Sequence, residues 1–177
     1  MRTKLRNTFR RFLDESGAAT VEFVVIFPIF FVIFVSSFEM AMMNIRSVML
    51  ERATDIVVRE IRINQGADYE YEDVRRGVCS LAVMVPDCEE TLRIELSPVD
   101  TDNWGLLGAG VDCVDKREEI NPVVNFTNGV ENELMLVRVC AVVNPFFPTV
   151  GLGRTMPKNS DGAYFVIASS AFVNEPD

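Results

Sequence analysis

The residue of this chain most suited to do chemistry is a carboxylate at the start of a long apolar run. The stretch "SGAATVEFVVIFPIFF", residues 16–31, places Glu22 five residues after Gly17 and directly before Phe23. An unpaired carboxylate in the middle of a bilayer costs about 2.5–3.5 kcal/mol. Glu22 therefore requires either a cationic partner or a route by which its head group reaches water.

Four cysteines form the second candidate set, and they all lie in the later part of the chain: Cys79, Cys88, Cys113 and Cys140. An even number favours two disulfides in an oxidising compartment, and buried thiols or a metal site are the alternatives. Zinc is disfavoured because there is no C-x-x-C and no histidine. Three pairings are possible. Nearness in sequence favours Cys79–Cys88, which leaves Cys113–Cys140.

The composition argues against catalysis and against nucleic-acid binding. The absence of histidine removes the commonest general base, and no nucleophile–base pattern remains. The glycines of "GLLGAG" lack dinucleotide-loop spacing, and "DTDN" at 100–103 lacks the glutamate of a calcium loop. Residues 1–17 carry a net charge of +3, so the rest of the chain, whose total is −9, carries −12. We therefore expect no enzyme activity, no cofactor, no metal and no nucleic acid.

A membrane helix is the element that must position Glu22. The apolar run of residues 18–43 would be about 39 Å long as a helix, enough to cross a hydrocarbon core of about 30 Å. The basic cluster before it places the N-terminus in the cytoplasm. A cleaved secretory signal is disfavoured because the run is too long and no clean Ala-x-Ala follows it. Glu39 is expected to be a solvated residue near the outer boundary.

An amphipathic stretch, residues 44–65, continues the helix beyond the membrane. Its apolar stripe is predicted to contain Ile45, Val48, Met49, Ala53, Ile56, Val57 and Ile61, with Arg46 largely on the opposite face. Gly66 is a plausible end. The pattern thus predicts one helix from about Ala18 to Ile63, whose second half packs on a domain.

The remaining residues, 66–177, predict an α+β domain. A short helix is expected from Asp68 or Glu70 to about Val83, and strands are expected near "TLRIELSPV", at 133–145 and at 163–174. These elements predict an antiparallel sheet of three or four strands against the second half of the long helix. In "NPFFP", packing of both phenylalanines into their own domain is favoured over an exposed interaction tip.

These residues carry a resemblance to a known family. "GAATVEFVVIFPIFF" resembles the processing site of type IV pilins, in particular the TadE/TadF-like pseudopilins of tight-adherence (Flp) pilus systems. "MLERATDIVVREIR" resembles the amphipathic stretch that follows in TadE-like proteins, and the likeness covers about residues 9–63. A TadE-like assignment is favoured, and the resemblance implies a pilin-like α+β fold.

The resemblance implies that a membrane-embedded prepilin peptidase cuts between Gly17 and Ala18. Glycine before the bond suits such a protease because it has no side chain to clash. Glu22, followed by Phe23, would then be the fifth residue of the mature chain. In pilins this glutamate is thought to pair with the N-terminal amine of a neighbouring subunit.

The resemblance also implies a domain plan and a set of partners. Residues 1–17 would be a leader, 18–43 a transmembrane helix, 44–65 its amphipathic continuation, and 66–177 a periplasmic domain. The chain is longer than a major pilin, so we expect a minor pseudopilin in the bacterial inner membrane. Its implied partners are prepilin peptidase, a TadF-like partner, the major Flp pilin and the inner-membrane assembly platform. The alternatives are an uncleaved single-pass adaptor with a periplasmic binding domain, and an anchored periplasmic enzyme.

Overall fold

A computed structural model describes residues 18–64, 69–100, 113 and 125–174. In chain order its elements are helix α1 (Ala18–Ile63), helix α2 (Tyr71–Leu81), the short helix α3 (Cys88–Thr91), strand β1 (Leu92–Pro98), strand β2 (Leu134–Val143), the short helix α4 (Leu152–Thr155) and strand β3 (Tyr164–Val173).

Helix α1 dominates the molecule. It is 46 residues long, or about 69 Å, and it continues through Pro28. Within the described part of the chain, the stretch Ala19–Ile63 is the one helix long and apolar enough to cross a membrane. Its bounds are those that the sequence pattern predicts.

The three strands form one antiparallel sheet in the order β1-β2-β3. The register places Ile94 of β1 opposite Val139 of β2, and Val139 opposite Ala168 of β3. All three side chains are buried, because alternate residues of each strand face the same side of the sheet. The sheet and the long helix together confirm the α+β prediction.

The second half of α1 and helix α2 cover the buried face of the sheet. Leu50, Ala53, Val57 and Ile61 of α1 share one apolar core with inward-facing residues of all three strands. Helix α2 adds Val74 and Val78, which stand one turn apart on the same side. Burial of this apolar surface is the main force that joins helix and sheet.

The predicted stripe on α1 was partly wrong. Ile45, Val48 and Ile56 are exposed, whereas Leu50 is buried and Arg46, expected on the opposite face, is buried as well. Neighbouring residues of a helix differ by about 100° in direction, so the true stripe is rotated slightly from the predicted one. Outside the face that meets the sheet, this part of α1 therefore also carries exposed apolar side chains, which lie among charged ones.

Two disulfides brace the domain. Cys79 in α2 is bonded to Cys88 at the start of α3, and Cys113 is bonded to Cys140 in β2. This is the pairing that nearness in sequence favoured. Cys140 points away from the core residues beside it in β2, yet it is fully buried.

We predict that Leu50→Ala lowers the free energy of unfolding by about 3 kcal/mol, because it opens a cavity between α1 and the sheet. Val48→Ala removes an exposed side chain from the same helix and should change the stability by no more than about 0.5 kcal/mol. Urea unfolding of the full chain in detergent micelles measures both. Equal effects of the two variants would contradict the described orientation of α1.

Candidate functional site

The first part of α1 stands free of the domain. Residues 19–34 are exposed on every side, and nearly all of them are apolar. The rings of Phe23, Phe27 and Phe31 stack along one side, with centroids 5.0 and 5.9 Å apart. An apolar surface of this size is unfavourable in water, so lipid or other apolar helices are its natural surroundings.

Glu22 and Phe23 lie on this free segment, and both side chains are exposed. Ala18 is the first residue of the helix that the structure describes. Gly17 lies outside the described residues, so the Gly17–Ala18 processing site remains a prediction. The same holds for the pairing of Glu22 with an amine, which requires a second subunit.

A second carboxylate on α1 has a different environment. Glu39 is 0% exposed, and its two oxygens accept hydrogen bonds from the backbone N–H groups of Phe146 and Phe147, at 3.1 and 3.0 Å. The prediction that Glu39 is a solvated boundary residue was therefore wrong. The reason is that the loop after β2 folds back onto α1 and covers this carboxylate.

The sequence of that loop explains why it fits Glu39. In "NPFFP", Pro145 and Pro148 have no backbone N–H. Phe146 and Phe147 are thus two adjacent donors between two prolines, and both point to the same carboxylate. Backbone N–H groups that converge in this way form an anion-binding concavity. The carboxylate in turn satisfies two donors that a buried loop would otherwise leave unpaired.

Ser36 holds the same loop one turn nearer the N-terminus of α1. Its hydroxyl donates to the carbonyl of Val32 at 2.7 Å and accepts from the N–H of Leu152 at 3.3 Å. Gly151, beside it, has a positive φ of 58°, and a Cβ there would clash with the Ser36 hydroxyl. A glycine is therefore required where the loop passes closest to the helix.

Arg46 holds the beginning of the loop from two turns further along α1. Its Nη1 donates to the carbonyl of Asn144 at 3.0 Å and to the hydroxyl of Tyr164 at 2.8 Å. Its guanidinium carbon lies 4.6 Å from the centroid of the Phe146 ring, a cation–π distance. The loop of residues 144–155, called here the clasp loop, is thus bound at three levels of one helix face.

The aromatic side chains of the clasp loop pack on Phe38 and also remain partly open. Phe38 meets Phe146 and Phe147 edge to face, with centroids 5.7 and 6.0 Å apart. Phe38 is 42% exposed, Phe146 is 49% exposed and Phe147 is 36% exposed. Both predicted alternatives for the two loop phenylalanines are thus partly realised, since each has one packed side and one exposed side.

Sequence reasoning missed Ser36, Glu39 and Arg46 as structural residues. A signal was present in their spacing, because these positions continue the buried stripe of α1 backwards in steps of three, four or seven residues. Polar residues on the apolar side of an amphipathic helix indicate a buried polar contact. The arrangement holds and orients segments. The part of the chain that the structure describes contains no group of three potential metal ligands.

We predict that Glu39→Gln lowers the free energy of unfolding by about 2 kcal/mol, because the amide loses one acceptor and turns an N–H group towards a buried backbone donor. Glu51→Gln changes an exposed residue of the same helix and should have almost no effect. Urea unfolding of the full chain and protease nicking of the clasp loop measure the difference. Equal stability and equal nicking of the two variants would contradict the role of Glu39.

Comparison with known proteins bears on the same helix. The family model of TadE-like proteins matches residues 17–59. The matched stretch begins at Gly17, contains Glu22 and the helix residues that bind the clasp loop, and covers about a quarter of the chain. Neither a curated protein nor a solved structure matches the chain.

The match confirms the resemblance that the sequence suggested, on a helix whose described bounds nearly coincide with the matched residues. Over residues 17–59 the chain is therefore similar to TadE-like proteins.

Proposed function

We propose that this chain is a minor pseudopilin of tight-adherence pilus biogenesis, with a structural role in priming or assembling the pilus. The observation that carries the proposal is the family match, which starts at Gly17 and runs along α1. TadE-like proteins are pilus components rather than enzymes, so the match favours a structural role.

Prepilin peptidase would remove residues 1–17 and leave Ala18 as the new N-terminus. Cleavage creates an α-amine, which is charged below its pKa of about 8. The new charge would then stand at the very end of an exposed apolar helix.

Glu22 would bind the amine of a neighbouring subunit. Its side chain is exposed on the free part of α1, so a second helix can approach it. Opposite charges attract strongly in a low-dielectric environment, and pairing offsets the desolvation of both groups. Such a pair would also fix the register between two apolar helices that otherwise slide past each other easily. Phe23, exposed beside it, would pack in the same contact.

Exposed apolar side chains on the second half of α1 are compatible with packing against another subunit. Ile45, Val48 and Ile56 are exposed and lie beyond the free segment of the helix. A helix that packs along another subunit would bury these side chains. Other pilin-like subunits, among them a TadF-like protein and the major Flp pilin, are the proposed partners, together with the inner-membrane assembly platform.

We place the chain in the bacterial inner membrane, with residues 1–17 in the cytoplasm and the domain of residues 66–177 in the periplasm. Two observations support this topology. The positive charge precedes the apolar run, and the two disulfides suit an oxidising compartment. Residues 18–43 are proposed as the membrane segment and 44–65 as its continuation.

We predict that Gly17→Leu prevents processing, because a bulky side chain obstructs the extended backbone that the protease must bind. Cells with the peptidase should then accumulate a form heavier by the mass of the 17-residue leader, as mass spectrometry would show. Asn7→Ala, a change within the leader but distant from the bond, should be processed normally. A Gly17→Leu protein that still begins at Ala18 would refute the proposed site.

A second prediction concerns Glu22. Glu22→Gln should be processed normally but should appear about tenfold less in purified pili, since about 1.4 kcal/mol of lost pairing changes an equilibrium tenfold. Glu51→Gln, on the same helix but outside the free segment, is the matched control and should assemble as the unchanged protein does. Quantitative immunoblots of the pilus fraction measure this ratio. Equal incorporation of the two variants would exclude a pairing role.

A further inference from the structure

The free part of α1 is slightly shorter than a typical hydrocarbon core. Val35 is the first buried residue of the helix, at 2% exposure, so the free segment extends from Ala18 to Phe34. Its 17 residues rise about 25 Å, whereas a typical hydrocarbon core is about 30 Å thick. The free segment is thus about 5 Å, or roughly three residues of helix, shorter than the hydrocarbon core.

The clasp loop lies just beyond the end of the free segment, at the level where a typical hydrocarbon core would end. Ser36 and Phe38 contact the loop, and Phe38 lies 20 residues, or about 30 Å, beyond Ala18. We propose that the clasp loop is a membrane-contact element: the exposed sides of Phe38, Phe146 and Phe147 lie in the outer interface of the bilayer that α1 crosses. This inference concerns the chain before pilus assembly, and it rests on the proposed membrane span.

The aromatic side chains have the composition that an interface favours. Rings at the level of the head groups are a recurrent feature of membrane proteins. Here three exposed rings form one cluster, which lies just beyond the free apolar segment of the helix. The cluster is therefore continuous with the proposed lipid-facing surface and is not an isolated patch on a water-facing domain.

Several backbone polar groups of the clasp loop have hydrogen-bond partners within the protein and do not need water. Irregular backbone at membrane depth is tolerated where its polar groups have partners within the protein. The N–H groups of Phe146, Phe147 and Leu152 bind side chains of α1. Two further positions are prolines, and Lys158 donates to the carbonyls of Pro148 and Gly153, at 3.3 and 2.8 Å. These internal bonds are compatible with a place that has little water.

Charge complementarity favours a lipid surface over an acidic protein surface. Residues 144–158 contain Arg154 and Lys158 and no acidic residue, although the chain after residue 17 carries −12. Arg154 is exposed on the short helix α4. Cations near the head groups interact favourably with lipid phosphates and anionic lipids. A second copy of the acidic domain, or water alone, are the other possible surroundings and are outcomes of the test below.

A control position at the other end of the domain is available at Val130. It is 70% exposed, and its carbonyl binds Asn174, just after β3. Nearby, the Asn128 side chain donates to the carbonyl of Tyr69, whose hydroxyl in turn reaches the carbonyl of Glu60 near the far end of α1. Glu60 lies 22 residues, or about 33 Å, beyond Phe38.

The test uses single tryptophans in the full chain, after the chain's only tryptophan is replaced by Trp104→Phe. Phe147→Trp reports the clasp loop, Phe27→Trp the middle of the span, and Val130→Trp the distant end of the domain. Phe146→Trp gives a second reading of the loop should Phe147→Trp fail to fold. Each variant is reconstituted in phosphatidylethanolamine–phosphatidylglycerol vesicles, with or without bromine on the upper acyl chains, and iodide is then added to the water.

We expect brominated lipid to halve the Phe147→Trp emission at least, and iodide to quench it at least threefold less than it quenches Val130→Trp. If brominated lipid does not quench Phe147→Trp, and iodide quenches it as strongly as it quenches Val130→Trp, the loop lies in water and the inference is overturned. If neither quencher affects the Phe147→Trp emission, the loop lies against protein, and the inference is overturned as well. Bromine quenching of Phe27→Trp in either case would leave the membrane span, and with it the proposed function, intact.

Discussion

The structure depends on one constraint: a single unbroken helix must be apolar on every side at one end and must pack against a folded domain at the other. The change occurs where Ser36, Glu39 and Arg46 face the clasp loop. Before that level, side chains are exposed and apolar all round the helix, and beyond it one face is buried against the sheet. Because Glu39 binds two backbone N–H groups directly, the height of the domain on the helix is fixed by hydrogen bonds as well as by apolar packing.

The two glutamates of α1 illustrate how environment decides the role of one residue type. Glu39 finds its donors within its own chain and is fully buried. Glu22 lies on the exposed apolar segment, where a carboxylate is unfavourable unless a partner arrives from outside. The first therefore completes the monomer, whereas the proposed role of the second is to recognise another subunit.

The sequence predicted the regular parts of the fold well, because periodicity reports burial directly. The bounds of α1, the alternating strand β1 and the central strand β2 all follow from their apolar patterns. The clasp loop could not be predicted in this way, since its position depends on hydrogen bonds between residues about 100 positions apart. The same long-range contacts explain why Glu39 and Arg46 were expected in water. Gly17 and Glu22 were proposed from their spacing alone, because that spacing resembles a processing site, and the fold does not test it.

The central claim is that α1 becomes an assembly helix once the leader before Ala18 is cut off, and that it is not a permanent anchor. The most direct test is the intact mass, with N-terminal sequencing, of the unaltered protein from cells that contain prepilin peptidase. The account predicts a chain that begins at Ala18, with residues 1–17 absent. Recovery of a chain that still begins at Met1 would contradict it and would favour the uncleaved single-pass adaptor.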